Sequence, residues 1–326
     1  MNSVKVLTGI SILIILFFVP VYKNIFLGYT LMYNKIKYIG DESVKIGLVL
    51  EGGACKGIFT AGVLDYWMEQ KLIFPYVVSV SAGTCNALDY LSNQAERTKK
   101  CMLSEKQDAC FGIRRFLKTG RLFDLERVFS EFPYKQFPFD WDTYFSSPMK
   151  NEIVVTNCRT GKAEYLEERE DGKRLMLKGR ASSSLPILSD MVEIDNEKYL
   201  DGGLADSIPV ERAMEVEGCD KVVVVMTHNE GYIPNLPKQL SRLYYRMYHK
   251  YPDLLETIRN RPQMYKKQLG AMERYEKQGK AFVIRPRELA VRRMEPDMRK
   301  MESFYSHGYK MGQETYEKML RFMKET

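Results

Sequence analysis

Three short groups of residues carry side chains or backbone able to do acyl-transfer chemistry. The group Ser79-Val80-Ser81-Ala82-Gly83 follows an apolar run, Tyr76 to Val80, and leads into Ala87, Leu88 and Leu91 at helical spacing. A strand that turns sharply into a helix holds the serine between them above the sheet, with its hydroxyl free to attack. Residues two before and two after that serine must be small, because strand and helix cross closely there. Gly83 meets the demand fully, and Ser79 meets it with the smallest hydroxylated side chain. Alone, the same five residues also suit an ordinary tight turn. Upstream, Gly52-Gly53-Ala54-Cys55-Lys56-Gly57 follows the run Ile46 to Leu50. Such a strand-to-helix turn leaves backbone N–H groups uncovered at a helix N-terminus, where they can hold an anion or a developing oxyanion. Lys56 precedes Gly57 and no Ser or Thr follows at the required spacing, so this is not a P-loop; a dinucleotide fingerprint damaged at Ala54 is the competing reading. Finally, Asp201-Gly202-Gly203 follows Lys198-Tyr199-Leu200. A carboxylate at a strand end beside two glycines can approach another loop closely, although Asp-Gly is also a common turn dipeptide.

Together and in this order, the three groups resemble the patatin-like phospholipase family, whose pattern is a glycine-rich oxyanion loop, a G-x-S-x-G elbow and a D-G-[GA] motif. The neighbouring Ala181-Ser182-Ser183-Ser184-Leu185-Pro186 and Ile208-Pro209 look like family blocks as well, and Tyr251 to Gly308 is similar to the C-terminal region of a bacterial subgroup. The resemblance implies a three-layer α/β/α fold with a mainly parallel central sheet. It also implies a Ser/Asp dyad of Ser81 as nucleophile and Asp201 as base, with N–H groups of Gly52, Gly53 and Ala54 as the oxyanion hole. Lys56, Gly57, Ser79, Gly83, Gly202 and Gly203 complete the motifs. Neither a metal nor an organic cofactor is required by this chemistry. A triad is the rival mechanism, since the order Ser81, Asp201, His228 matches that of α/β-hydrolases. An acyltransferase using the same acyl-enzyme and a catalytically silent lipid-binding protein are the functional alternatives, the latter favoured by Ala54 and Ser79. At Ala54 the expected backbone has φ < 0, so that its methyl group is harmless.

The elements that must position these groups are read from hydrophobic patterning. Ile46 to Leu50 and Tyr76 to Val80 are continuous apolar runs, as in strands buried on both faces. Ile58, Ala61, Leu64 and Met68 recur at helical spacing between them. Further strands are expected at Ile153 to Thr156, Val192 to Ile194, Tyr199 to Leu200, Val222 to Met226 and Phe282 to Ile284. This alternation predicts one α/β catalytic core over 45–230, completed by a basic, mostly helical region over 231–326.

Composition narrows the rest. The chain has 326 residues, 45% of them hydrophobic, which is too apolar for disorder. Its six cysteines form neither C-x-x-C pairs nor Cys/His clusters, against a zinc ribbon or disulfide scaffold and in favour of a reducing compartment. Residues 1–40 hold an uncharged stretch, Val6 to Tyr22, between Lys5 and Lys23. It reads as a hydrophobic helical anchor at the short limit of a membrane span, with the body of the protein on the cytoplasmic side. A cleavable signal peptide and a true start at Met32 compete with that reading. Eight aromatics from Phe129 to Phe145 could line an acyl groove or simply pack a loop. Residues 241–300 carry net charge +9 against +7 for the whole chain, suiting either anionic headgroups or a solvated helix surface. The expected partners are a phospholipid or other lipid ester and a membrane surface. No recognised module points to nucleic acid, and the sequence does not reveal the oligomeric state.

Overall fold

In the computed structural model, the described residues are 44–103, 124–235 and 240–325. The hydrophobic segment of residues 1–40 therefore lies outside the described residues. Eight strands make one sheet in the order β5-β6-β3-β2-β1-β7-β8, with β4 pairing β3 off this path. The strands are β1 Ile46–Leu50, β2 Tyr76–Val80, β3 Lys150–Asn157, β4 Ala163–Leu166, β5 Val192–Ile194, β6 Glu197–Asp201, β7 Lys221–Val225 and β8 Ala281–Ile284. The run β3-β2-β1-β7-β8 is parallel, and β4, β5 and β6 join antiparallel.

Every expected strand is present, and β4 is the addition. Its sequence Ala-Glu-Tyr-Leu is half-buried throughout and lacks the apolar run that marks a central strand. In the central strands, alternate residues feed opposite faces. Leu48, Leu50, Val223 and Val225 join one hydrophobic cluster, while Val49, Val222 and Val224 join the other. Helices cover both faces, so the described chain is an α/β structure of helix, sheet and helix layers.

The first face is covered by α1, Gly57–Glu69, which is itself overlaid by the C-terminal helix Met298–Lys324. Nearly all of α1 is buried, because the sheet lies on one side and that helix on the other. The two helices touch backbone to backbone. A Cβ at Gly308 would stand 2.0 Å from Phe59 O, and one at Gly62 would stand 2.3 Å from Tyr305 O. Tyr305 also donates its hydroxyl to Asp65 Oδ2 at 2.7 Å, and burial pushes the Asp65 carboxyl up to about 7. The other face is covered in part by the helix Pro252–Lys277, whose Tyr265, Ala271 and Met272 join the second cluster.

Gly308→Ala tests this contact. It should cost about 2 kcal/mol or more of stability, read as a lower urea midpoint, because neither backbone can retreat from a methyl group.

Candidate active site

Sheet register assembles the site. β1 and β2 run parallel with Leu50 opposite Ser79, so the turns that follow them emerge side by side at one sheet edge. Val80 pairs with Val154 of β3, and Val155, the next residue of β3, pairs with Asp201 at the end of antiparallel β6. Ser81 and Asp201 thus meet across the edge of one strand. Ser81 Oγ donates to Asp201 Oδ2 at 2.7 Å, and Asp201 Oδ1 accepts from Gly203 N at 2.8 Å. Both residues are buried, at 8% and 2% exposure, so this contact is shielded from competing water.

Ser81 stands between β2 and the helix Ala82–Leu91 with φ 55° and ψ −120°. A non-glycine residue there stores about 1–3 kcal/mol of backbone strain, which persists only if its surroundings hold it. They do so from several sides. Ser81 N donates to Ser182 Oγ at 2.9 Å, and Ser182 Oγ lies 3.0 Å from Thr84 Oγ1. Gly83 lets the helix approach β1 so closely that a Cβ would come within 2.6 Å of Leu50 O. Ser79 is fully buried and fits between the strands, with its hydroxyl 3.4 Å from Glu152 O. At the aspartate, a Cβ on Gly202 would sit 2.2 Å from Val154 O, so only glycine allows β6 to end there.

The glycine-rich turn lies beside this pair. Glu51, Cys55 and Lys56 spend their N–H groups on Val225 O, Arg293 O and Gly53 O. Among the described residues, the N–H groups of Gly52, Gly53 and Ala54 have no acceptor, although Gly52 and Gly53 share a cleft with Ser81 and Asp201. Gly57 starts α1, with its carbonyl accepting from Asn86 Nδ2 at 2.9 Å. Lys56 folds over the Tyr232 ring with its ammonium 4.9 Å from the centroid. The expectation for Ala54 is corrected: its φ is +51°, in the left-handed region. The turn must reverse direction at once to start α1, and alanine accepts that conformation at a cost of about 1 kcal/mol.

His228 does not join the pair. Its Nδ1 lies 2.9 Å from Glu51 Oε1, and its ring stacks on Tyr232 at 3.8 Å between centroids. Glu51 is the residue that sequence reasoning missed. Wholly buried, it accepts from Tyr265 Oη at 2.6 Å and from Thr227 N at 2.6 Å, and the Thr227 hydroxyl bonds the Gly52 carbonyl. Burial alone would raise the Glu51 carboxyl, but His228, Tyr265 and Thr227 outweigh it and bring the pKa below its ordinary value. Asp201 ends on the other side of balance. Burial lifts its pKa, and the Ser81 hydroxyl with the charges of Arg293 and Arg261 recovers only part.

An apolar cavity of about 160 Å³ opens from Ser81 between Leu88, Val128, Phe129, Phe132, Met176 and Leu185. Of the eight aromatics from Phe129 to Phe145, therefore, Phe129 and Phe132 line this space, and Phe129 also belongs to the core cluster that holds Phe139 and Tyr144. Among the described residues, no group of three or more His, Cys, Asp or Glu side chains is placed to hold a metal ion.

Comparison with known proteins follows the same division. Residues 48–214 match the family model described as patatin-like phospholipase, and residues 251–324 match a domain of unknown function, DUF6363. The uncharacterized protein YjjU of Escherichia coli (strain K12) is 31% identical over 210 residues, covering 61% of this chain and 57% of that protein. The chain thus spans little more than half the length of that curated relative. The crystal structure of VipD from Legionella pneumophila aligns with a TM-score of 0.43 and 12% identity, covering 86% of this chain and 68% of that chain.

Two substitutions probe the turn. Ala54→Gly removes the strain and should raise kcat on a soluble ester severalfold, remaining under about tenfold, with the N–H donors otherwise unchanged. Glu51→Gln should cost about 2 kcal/mol at pH 7 by loosening the bonds of a buried carboxylate. Because folding depresses the Glu51 pKa, its contribution is present above the unfolded value near 4.5 and lost as pH falls below it. The stability gap between wild type and Glu51→Gln, followed by urea unfolding, should therefore close on acidification.

Proposed function

The chain belongs to the patatin-like phospholipase family, and from that premise we propose that it is a serine acyl hydrolase of lipid esters, working through a Ser81–Asp201 dyad. The observation that carries this reading is the buried 2.7 Å hydrogen bond from Ser81 Oγ to Asp201 Oδ2, beside three N–H groups without acceptors among the described residues. Serine is a weak nucleophile until a base takes its proton, and Asp201 is positioned for that step. Its second oxygen is fixed by Gly203 N, so the carboxylate holds one orientation. As Ser81 Oγ bonds to the ester carbon, the carbonyl oxygen becomes anionic, and the N–H groups of Gly52, Gly53 and Ala54 are the donors for it. Collapse of the tetrahedral intermediate breaks the ester C–O bond, and the proton held by Asp201 passes to the leaving alcohol. Water, deprotonated by the same carboxylate, then releases the acid from acyl-Ser81. The apolar cavity bounded by Phe129, Phe132 and Met176 receives the acyl chain.

Approach to a lipid surface is supported by the helix Ser241–Tyr248. It leaves Leu243, Tyr245 and Met247 exposed beside the exposed Arg242, Arg246 and Lys250, an arrangement suited to the interface of an anionic bilayer. Among the described residues, no helix is long and apolar enough to cross a membrane.

A fluorophosphonate probe should label the wild-type protein and not Ser81→Ala. Asp201→Asn should lower kcat by about three orders of magnitude, whereas His228→Gln should lose at most about tenfold. An equal loss in folded His228→Gln protein would restore the triad. Since the Asp201 pKa is raised on folding, the acidic limb of kcat/KM should lie above the ordinary carboxylate range. By the same linkage, stability is lost as pH rises through the folded pKa, so Asp201→Asn should unfold at higher urea than wild type near neutral pH.

A further inference from the structure

The glycine-rich turn is held from outside by a loop far along the chain. Residues 285–297 join β8 to the C-terminal helix Met298–Lys324 and carry neither helix nor strand. The loop meets the site at two points. The carbonyl of Arg293 accepts from Cys55 N at 3.2 Å, and Glu295 lines the acyl cavity together with Cys55. A stretch without regular structure must find outside partners for its backbone groups, and those partners set its shape. Here two side chains serve the same few residues. Asn229 Nδ2 donates to Pro286 O at 3.0 Å and to Glu288 O at 2.8 Å, and its Oδ1 accepts from Ala290 N at 2.9 Å. From the C-terminal helix, His307 Nε2 accepts from Arg287 N at 3.0 Å and from Glu288 N at 3.3 Å.

Those two bonds fix the state of the imidazole. Backbone N–H groups only donate, so Nε2 must keep its lone pair, and the proton of the neutral ring sits on Nδ1. Nδ1 lies 3.6 Å from Glu288 Oε1. A proton on Nε2 would abolish both bonds and set three N–H dipoles against one another. His307 stands in a charged helical stretch, yet it is only 7% exposed. From α1 it faces the Phe59 ring at 5.5 Å between centroids, and on its own helix the Phe304 ring at 6.2 Å. Burial presses its pKa below the ordinary value near 6.5. Glu288 of the loop and Glu314 of the helix oppose this, while Arg287 and Lys310 add to it. All four of these charged residues are exposed, so water weakens their hold on the ring.

We propose that His307 is a positioning residue whose neutral imidazole latches the 285–297 loop, and through the Arg293–Cys55 bond the glycine-rich turn, until a proton taken up at Nε2 releases it. The effect on turnover rests on the serine-hydrolase reading, whereas the latch itself does not. Its sign follows from linkage. The folded protein binds this proton less readily than the unfolded chain. The contribution of the latch is therefore complete above the unfolded value near 6.5 and is lost as pH falls through the lower folded value.

Hydrogen exchange of the full chain, read by mass spectrometry on peptides covering 285–295, tests the latch. Glutamine at this position can offer a carbonyl oxygen to the same two N–H groups and does not titrate. From about pH 8 to about pH 5, corrected for intrinsic exchange, the wild-type loop should lose protection by about tenfold or more, and His307→Gln by less than about threefold. Strand β2 should stay protected in both, which separates release of the loop from acid unfolding. His307→Leu, which leaves both donors without an acceptor, should exchange fast at either pH. Protection that wild type keeps at low pH, or that His307→Gln loses equally, would overturn the proposal. The tie to the turn is read on 4-nitrophenyl butyrate. The ratio of kcat/KM for His307→Gln over wild type should rise about fivefold or more across the same pH range, since Asp201 titrates in both proteins and cancels. A ratio that stays constant would overturn the tie. A protein that shows the expected exchange yet cleaves no ester would support the latch and sink the hydrolase reading instead.

Discussion

A hydroxyl and a carboxylate held 2.7 Å apart inside the protein are the constraint that the surrounding structure serves. Neither partner is comfortable. Ser81 occupies a strained backbone conformation, and Asp201 carries a charge that burial disfavours. What holds them is a set of close approaches with little tolerance. Ser182 takes the Ser81 amide, β3 lies within van der Waals contact of Gly202, and Gly83 brings its helix against the end of β1. A strained, desolvated pair persists only where packing over-determines it, and here the strand, helix and loop behind the pair supply that packing while its open side faces the cavity.

The C-terminal residues belong to that support. Tyr265 bonds Glu51, the residue ahead of the glycine-rich turn, and Arg261 bonds the carbonyl of Gly203 in the aspartate loop. Arg293 receives the amide of Cys55, and the last helix lies against α1 through Gly308. The region that matches only a domain of unknown function therefore touches both the glycine-rich turn and the Asp201 loop by specific bonds. It is joined to the core through the site itself as well as through the hydrophobic clusters.

Much of this was legible in the amino-acid sequence because it depends on local signals. Buried parallel strands show as unbroken apolar runs, so β1 and β2 were read at their full extent, and glycines at Gly52, Gly83 and Gly202 mark where chains cross. The less legible features depend on residues brought together from afar. Glu51 is one carboxylate at the end of a strand, and nothing local tells that Thr227, His228 and Tyr265 will surround it. Arg261 and Arg293 sat within a stretch read by its net charge, which does not single out the two side chains that line the Ser81 cleft. β4 is an edge strand of four half-buried residues without a run. At Ala54 the need for an N–H donor did not fix the sign of φ, and the geometry of the reversal overrides a cost of about 1 kcal/mol.

The separation of partners along the chain has a consequence in time. Ser81 meets Asp201 across 120 residues, Glu51 meets Tyr265 across 214, and Asp65 meets Tyr305 across 240. Closing such long loops is slow, and a domain made of nonlocal pairings acquires its tertiary contacts late. During synthesis, Ser81 leaves the ribosome well before the strand that bears Asp201, and Tyr265, the brace for the glycine-rich turn, follows later still. A nascent or truncated chain thus carries Ser81 without the carboxylate that meets it in the folded protein. The Ser81–Asp201 contact therefore arrives only with completion of the fold.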